Sequence, residues 1–338
     1  MKRSTLVGIL YNAFDRRRVR PRETLSERAV EQAAREAGAA LNAAGYRILW
    51  LPVRSRVDAF LETLRRRRPA AIVNLCEGFS GGAAGEVSVA GLLELLGIPF
   101  TGSGPCALAQ CLDKFSAKCL LRGCGLPTPR GWLAAEAGDV PEGAGFPLIV
   151  KPVAEDAGIG IYPESVVRTR ADLARRIGQV VRDYGRRALV EAFVEGREIN
   201  VAVAELPEPR VLPFSEIVFD RYPPGLPRLV GYDAKWRGRH PAARGTRPVC
   251  PAPLAPALAR RLSECALRAW RILDLRGCVR LDFRVDLRGR PFLLEVNPNP
   301  DTSRSAGLMR ALAAAGVSPE AFWRIQVETA RRRWKEAA

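Results

Sequence analysis

The stretch from Cys278 to Asn297 constrains this chain more than any other, because it dictates both a local structure and a register. From Cys278 to Leu287 the residues alternate strictly. Leu281, Phe283, Val285 and Leu287 share one face, and Arg280, Asp282, Arg284 and Asp286 share the other. A period of two means a half-buried strand. Arg288-Gly289 reads as a two-residue hairpin turn, with glycine where a positive φ is wanted. If Leu287 then pairs with Arg290, Phe283 lies opposite Leu294, Asp282 opposite Glu295, and Arg280 opposite Asn297. Directly opposed Cβ atoms sit ~5 Å apart, and like charges there are destabilising. A divalent cation would explain the placement of Asp282 against Glu295, because hard cations such as Mg²⁺ prefer carboxylate and amide oxygen. Asn297 adds such an oxygen on the same face, and Arg280 stands beside it as a fixed cation suited to an anionic transition state. The plainer alternative pairs Asp282 and Glu295 with Arg280 and Arg284 on a solvated face.

The beginning of the chain alternates strand and helix. Leu6–Leu10, Tyr46–Val53 and Ala70–Leu75 read as strands, and Ser26–Ala44, Val57–Arg68 and Val87–Leu96 as helices. That order predicts a parallel sheet covered on both faces. A smaller α+β region follows, with a helix over Lys114–Arg122, a strand over Pro147–Val150, a helix over Leu173–Tyr184 and a strand over Ala188–Phe193. The last region has a strand at Glu198–Val203 and a long irregular stretch over residues 206–253. A helix at Leu254–Leu273, the hairpin, and helices at Ser305–Ala315 and Glu320–Trp334 complete it. The expected lobes are residues 1–105, 106–195 and 196–338. A loop as long as 206–253 inside a folded lobe is usually a lid or binding loop.

Composition excludes several functions. Among 338 residues there is one histidine, His240, and no CxxC pair among eight cysteines. A zinc site or a His-activated nucleophile is therefore not expected, and His240, in a polar loop, reads as solvated. No apolar run approaches the roughly 20 residues of a membrane span, and the basic start Met1–Ser4 lacks a signal-peptide core. A cytoplasmic location without membrane partners is the default. The net charge of +17 is spread in small arginine clusters at Arg16–Arg18, Arg65–Arg68 and Arg331–Arg333, without interleaved aromatics, so nucleic acid is not expected as a partner. An acidic substrate or carrier steered by this field is kept open, as is a homodimer.

Lys151 ends an apolar run and precedes the glycine-containing loop Asp156–Gly160. Such a lysine can hold phosphate as a point charge; a plain turn with an exposed lysine is the alternative, and Lys114 alone reads as a surface helix residue.

Several ordered segments together resemble the ATP-grasp superfamily, within it the D-alanine–D-alanine ligase-like branch. They are Gly91–Ser103, Leu112–Lys118, Gly125–Pro129, Pro147–Pro152, Val190–Asn200, Tyr232–Trp236, Arg280–Asp286 and Leu294–Asn297. The resemblance implies an α/β, three-lobed ATP-grasp architecture: an N-terminal parallel α/β sheet, then two grasp lobes of α+β character enclosing ATP. It implies that Lys114 and Lys151 contact ATP phosphates, that Glu191, Phe193 and Val194 form the adenine-binding linker, and that Glu198 binds the ribose, with Leu294 also at the nucleotide. Lys235, in a closing loop, would reach a phosphate. Asp282, Glu295 and Asn297 would hold Mg²⁺ or Mn²⁺, and Arg280 would stabilise the transition state. The implied activity is an ADP-forming ligation of amino acids, or of an amino acid and another amine, through an acyl phosphate. The departures from the family pattern fall at Ala157 and Gly158 for a serine, Trp236 for a tyrosine, Cys76-Glu77-Gly78 for a His-Gly pair, and Pro298–Ser305 for a segment with glycine near the acceptor. Glu77, Asp301, Arg304 and Ser305 are thus the expected substrate contacts, with turn formation by Asp301 and Ser303 as the alternative. The leading expectation is a biosynthetic peptide-bond-forming ligase acting on small amino acids or peptides. A true D-alanine–D-alanine ligase and an inactive nucleotide-binding partner protein are the alternatives.

Overall fold

The computed structural model describes residues 4–13, 24–53, 57–78 and 83–337; the expected clusters at Met1–Arg3 and Arg16–Arg18 lie outside them. The first region is built on strands β1 (Leu6–Asn12), β2 (Arg47–Val53) and β3 (Ala71–Leu75), paired in parallel in the order β2-β1-β3. Both faces are covered, as parallel sheets require. Helix α1 (Thr24–Ala43) brings Ala34, Ala37 and Leu41 onto Val7 and Ile9 of one face. Helices α2 (Asp58–Arg67) and α3 (Ala84–Leu95) bring Phe60, Leu64, Val89 and Leu93 onto the other. Arg65–Arg67 close α2 in its last turn, where cations suit the dipole.

Helix α4 (Pro105–Leu112) was not expected from periodicity; Pro105 starts it at a position where its missing N–H costs nothing. It leads into α5 (Lys114–Gly123), capped by Asp113, whose carboxylate accepts from the Ser116 N–H at 2.8 Å. The next sheet is antiparallel, in the order β4-β7-β5-β6, from β4 (Gly131–Ala134), β5 (Leu148–Pro152), β6 (Val166–Val167) and β7 (Ala188–Ala192). Helix α6 (Arg170–Tyr184) covers one face through Leu173, Ile177 and Val180.

The stretch 206–253 is more ordered than expected. It holds β9 (Pro209–Val211), β10 (Ser215–Val218), the short helices α7 (Tyr232–Trp236) and α8 (Pro241–Arg244), and β11 (Arg247–Val249). These pieces are too short and proline-interrupted to show a period, and they become strands only by pairing with β8 (Gly196–Glu205) and each other. His240 is a partly exposed loop residue, as expected, with a local task besides: its Nδ1 accepts from the Ala242 N–H at 3.2 Å and caps α8. The large sheet runs β11-β10-β8-β12-β13, with β9 beside β8, where β12 is Cys278–Asp286 and β13 is Pro291–Asn297. Helix α9 (Pro256–Ile272) packs Leu262, Ala266 and Ala269 beneath it. Helices α10 (Gly307–Ala314) and α11 (Pro319–Ala337) close the chain; Phe322, Trp323 and Val327 of α11 return to the α1 face of the first sheet.

The hairpin register holds at its functional end by two compensating departures. The turn spans Leu287 to Gly289, one residue longer than expected: Val285 pairs with Pro291, and Asp286 N–H donates to Arg290 O. Gly289 takes φ +74° there, and the Asp286 carboxylate accepts from the N–H groups of Arg288 and Arg290. Phe283 consequently faces Leu293, not Leu294. A bulge at Leu294 then restores the count, so Asp282 faces Glu295 and Arg280 faces Asn297 as the alternation predicted.

No helix of the described residues is long and apolar enough to cross a membrane, and all eight cysteines are free thiols.

Candidate active site

One cleft of about 440 Å³ opens between the β4-β7-β5-β6 sheet and the hairpin face of the large sheet, a size ordinary for small-molecule sites. Lys114, Lys151, Glu191, Phe193 and Val194 line it on one side, and Glu198 of β8 lines it from the large sheet. Arg280, Asp282, Leu294, Glu295 and Asn297 line it on the other, with Lys235, Asp301 and Ser305 at the far end. The bulge explains why Leu294 and Glu295, neighbours in a strand, both reach the cleft.

Three buried lysines set its charge. Lys114, the first residue of α5, is not a surface residue: it is 3% exposed and bonds Asp156 at 2.9 Å and Glu295 at 3.0 Å. Burial works against its charge, but Asp156 and Glu295 outweigh it and raise its pKa. One turn on, Lys118 bonds Glu191, whose other oxygen bonds Lys151 at 2.7 Å. Burial would push Glu191 up, yet Lys118 and Lys151 together hold it below the usual carboxylate range. Burial also brings Lys118 down to about 7, against the pull of Glu191. For Glu295, burial is overcome by Lys114 and Lys151, which bring it down to about 2.

Carboxylates held below 4.5 add stability above that pH and lose it as pH falls toward about 2. Melting temperature is therefore expected to fall across that window, with a shallower slope in a Glu295→Gln variant; a pH-independent melt between 4.5 and 2 would contradict the ion pairs.

On the hairpin, Asp282 is the hub. Arg280 reaches it as a fork, Nε to Oδ1 at 2.8 Å and a terminal nitrogen to Oδ2 at 2.9 Å. Asn200 of β8 donates to Oδ1 at 2.8 Å and Asn297 to Oδ2 at 3.2 Å. The alternative pairing with Arg284 does not occur: Arg284 turns to Glu198 at 2.7 Å, between the Phe193 and Phe219 rings. Burial raises the Glu198 pKa against the pull of Arg284. Among the described residues no cluster of three or more His, Cys, Asp or Glu side chains has metal-holding geometry. The oxygen donors are two carboxylates and an amide across adjacent strands. That set suits an ion that takes its remaining ligands from phosphate and water, as Mg²⁺ does.

The roof is a clasp between the Asp156–Gly160 loop and α7. Tyr232 N–H donates to Ile161 O at 2.9 Å, and the Trp236 indole donates to Ala157 O at 2.8 Å. Gly231 allows the approach, since a Cβ there would meet Ile161 O at 2.4 Å. Two positions that depart from the family pattern, Ala157 and Trp236, thus bond each other. Lys235 is accessible to solvent but crowded by the walls of the cleft. Burial, then Arg280, depress its pKa, while Asp301, Glu77 and Asp282 act the other way. A Trp236→Phe variant loses the clasp bond, worth about 0.5–1.5 kcal/mol. If the cleft takes ATP, as the resemblance implies, the nucleotide KM is expected to rise several-fold with kcat little changed, measured by steady-state ADP release; an unaltered KM would leave the clasp with no part in nucleotide binding.

Two expected substrate contacts do not line the cleft. Ser303 N–H donates to the Asp301 carboxylate at 2.8 Å, and this tight turn carries Arg304 outward, where its N–H bonds Glu36 of α1 at 2.6 Å. Glu77 sits exposed past β3, its N–H bonded to Asn12, and its charge favours the protonated form of Lys235. The residues sequence reading passed over are Lys118, Asn200, Arg284 and Arg310. The first three had a local signal: Lys118 is four residues from Lys114 on one helix, and Asn200 and Arg284 are two residues from Glu198 and Asp282 on strands. Arg310 had none.

Residues 131–327 match the model of the family described as D-ala D-ala ligase C-terminus. An uncharacterised protein of Sinorhizobium fredii is 31% identical over 79% of this chain and 76% of its own length. A D-alanine–D-alanine ligase of Desulforudis audaxviator is 33% identical over 83% of this chain and 86% of its own. The crystal structure of a D-alanine–D-alanine ligase from Bacillus anthracis complexed with ATP superposes with a TM-score of 0.77 at 21% identity, covering 99% of each chain.

Proposed function

This chain belongs to the D-alanine–D-alanine ligase family of the ATP-grasp superfamily, and on that premise we propose that it is an ATP-dependent carboxylate–amine ligase forming a peptide or amide bond. The observation that carries the reading is one juxtaposition: lysines from α5 and β5 and the Asp282, Glu295 and Asn297 side chains open into the same cleft. In this reading residues 1–105, 106–195 and 196–338 act as three lobes, the last two closing on the nucleotide. Lys114 and Lys151 hold its phosphates, with Lys235 joining from the roof. The linker at Glu191, Phe193 and Val194 frames the adenine with Leu294 beneath, and Glu198 takes the ribose while sharing its charge with Arg284.

Asp282, Glu295 and Asn297 would hold Mg²⁺, which when bound neutralises phosphate charge during transfer. Asn297 now presents its amide nitrogen to Asp282; turning the amide presents the oxygen. Arg280, fixed by its fork on Asp282, faces the point where negative charge builds on the transferred group. Transfer to a carboxylate gives an acyl phosphate, which the amine attacks to release phosphate. Positioned charge does this work without a protein nucleophile, consistent with a chain whose single histidine is a helix cap.

The names of the relatives favour a second reading, synthesis of D-alanyl-D-alanine; the departures at Ala157, Trp236 and Pro298–Ser305 favour other amino acids. Mg²⁺-dependent ADP release across amino-acid pairs, with mass spectrometry of the product, tests both. Fast turnover of D-alanine alone would establish the second reading; no ADP release with any pair would sink both.

A further inference from the structure

The far end of the cleft holds a guanidinium that the ligase reading leaves without a task. Arg310, on the first turn of α10, lines the cleft together with Ser305, Ala306 and Gly307. One terminal nitrogen donates to the carbonyl of Ser305. Its Nε is buried without a hydrogen-bond partner, and no carboxylate of the described residues lies within salt-bridge distance. A buried donor left unmade is costly, and a half-buried guanidinium lining a cleft is open to an anion. Arg280, by contrast, has a carboxylate partner in Asp282.

Gly307 keeps the space beside Arg310 open. A Cβ there would sit 3.8 Å from a terminal nitrogen of Arg310, 3.7 Å from Cδ of Arg280 and 3.9 Å from Oδ1 of Asn200. The two arginines therefore flank a gap next to the proposed site of bond formation. Burial works against the charge of Arg310; Cys250 and Asp301 favour it and Arg280 repels it. Lys235 feels the same Arg280 and Asp301, with Glu77 and Asp282 beside them. With Arg280 and Asp282 paired to each other, Arg310 and Lys235 share Asp301, and Glu77 acts on Lys235 through its charge. The α-carboxylate of a neutral-side-chain amino acid can answer one of these two cations; a dicarboxylic amino acid can answer both.

Resting on the ligase reading, we propose that Arg310 is a specificity-determining binding residue, and that the amine substrate is a dicarboxylic amino acid whose second carboxylate it holds. The guanidinium fork suits a carboxylate in two-point contact. The α-carboxylate and amine then remain near Lys235 and the reacting carbonyl.

The test measures ADP release with ATP, Mg²⁺ and a panel of first substrates, using aspartate and glutamate, their amides, alanine and lysine, in both enantiomers, as amines. The wild type is expected to favour glutamate or aspartate over the matching amide by about 10- to 100-fold in kcat/KM, the weight of a charge-assisted contact. In Arg310→Met that ratio should fall at least tenfold, mainly through KM. Arg310→Glu should shift preference toward lysine, an outcome a merely structural arginine would not produce. Equal use of acid and amide by the wild type, or an equal loss on every amine in Arg310→Met, overturns the assignment while leaving the ligase reading intact. Absence of ADP release with every pair overturns the ligase reading and the assignment with it.

Discussion

Replacing Asp282 with asparagine is expected to lower Mg²⁺-dependent ADP release by on the order of 10²–10³-fold, the scale of losing one preorganised charge partner in a transfer site. Two effects act together. The variant removes a formal charge from the proposed metal set, leaving Glu295, whose charge is shared with Lys114. It also deprives Arg280 of its fork, because an amide cannot accept on both of its heavy atoms. The measurement is a coupled ADP assay over a Mg²⁺ titration, beside a thermal melt to show that the fold persists. An unchanged rate and Mg²⁺ dependence would remove Asp282 from the proposed metal site, and an Asn297→Ala series would then be read against Glu295 alone.

The second large effect is on stability. Glu191 is 1% exposed and bonds Lys118 and Lys151 at once, one oxygen to each. Glu191→Gln keeps the shape but leaves two buried ammonium groups facing a neutral amide. Breaking one side of a buried pair typically costs about 3–5 kcal/mol, so the melting temperature should fall by several degrees. The loss should shrink as pH rises toward 7 and level off above it. Lys118 in the wild type sheds its proton near 7 with Glu191 holding it on, whereas the unfolded lysine holds it to 10.5, so wild-type stability grows between those values. Without Glu191 the folded Lys118 releases its proton at lower pH, so the variant begins the same gain earlier. A melt within one degree of wild type at pH 7 would contradict the role assigned to Glu191. Should the variant fail to fold, Lys118→Met with Glu191→Gln tests the same claim, because removing both charged partners costs less than removing one.

The hairpin shows how far pattern alone carries. Strict alternation was enough to bring Asp282 opposite Glu295. The turn is one residue longer than the pattern implies, and only the compensating bulge at Leu294 restores the register. A bulge has no mark in the residue pattern here, because two leucines in succession read equally well as strand interior. The parallel first sheet, the helix faces and the lysine at the end of β5 were legible for the same reason: each depends on neighbours within a few residues.

Which charge answers which was a different matter. Lys118 and Glu191 are 73 residues apart, Asn200 and Asp282 82 apart, and Arg304 and Glu36 268 apart. No period or turn propensity links such pairs; they meet because sheets pack and helices return, as α11 does onto the first sheet. Tertiary contact thus turned Lys114 from an expected surface residue into a buried cation, moved Arg304 out of the cleft and brought Arg310 in. Periodicity is written in the chain because secondary structure repeats locally. The pairing of buried charges is settled only by packing, because a desolvated charge is stabilised by whichever group the fold sets beside it.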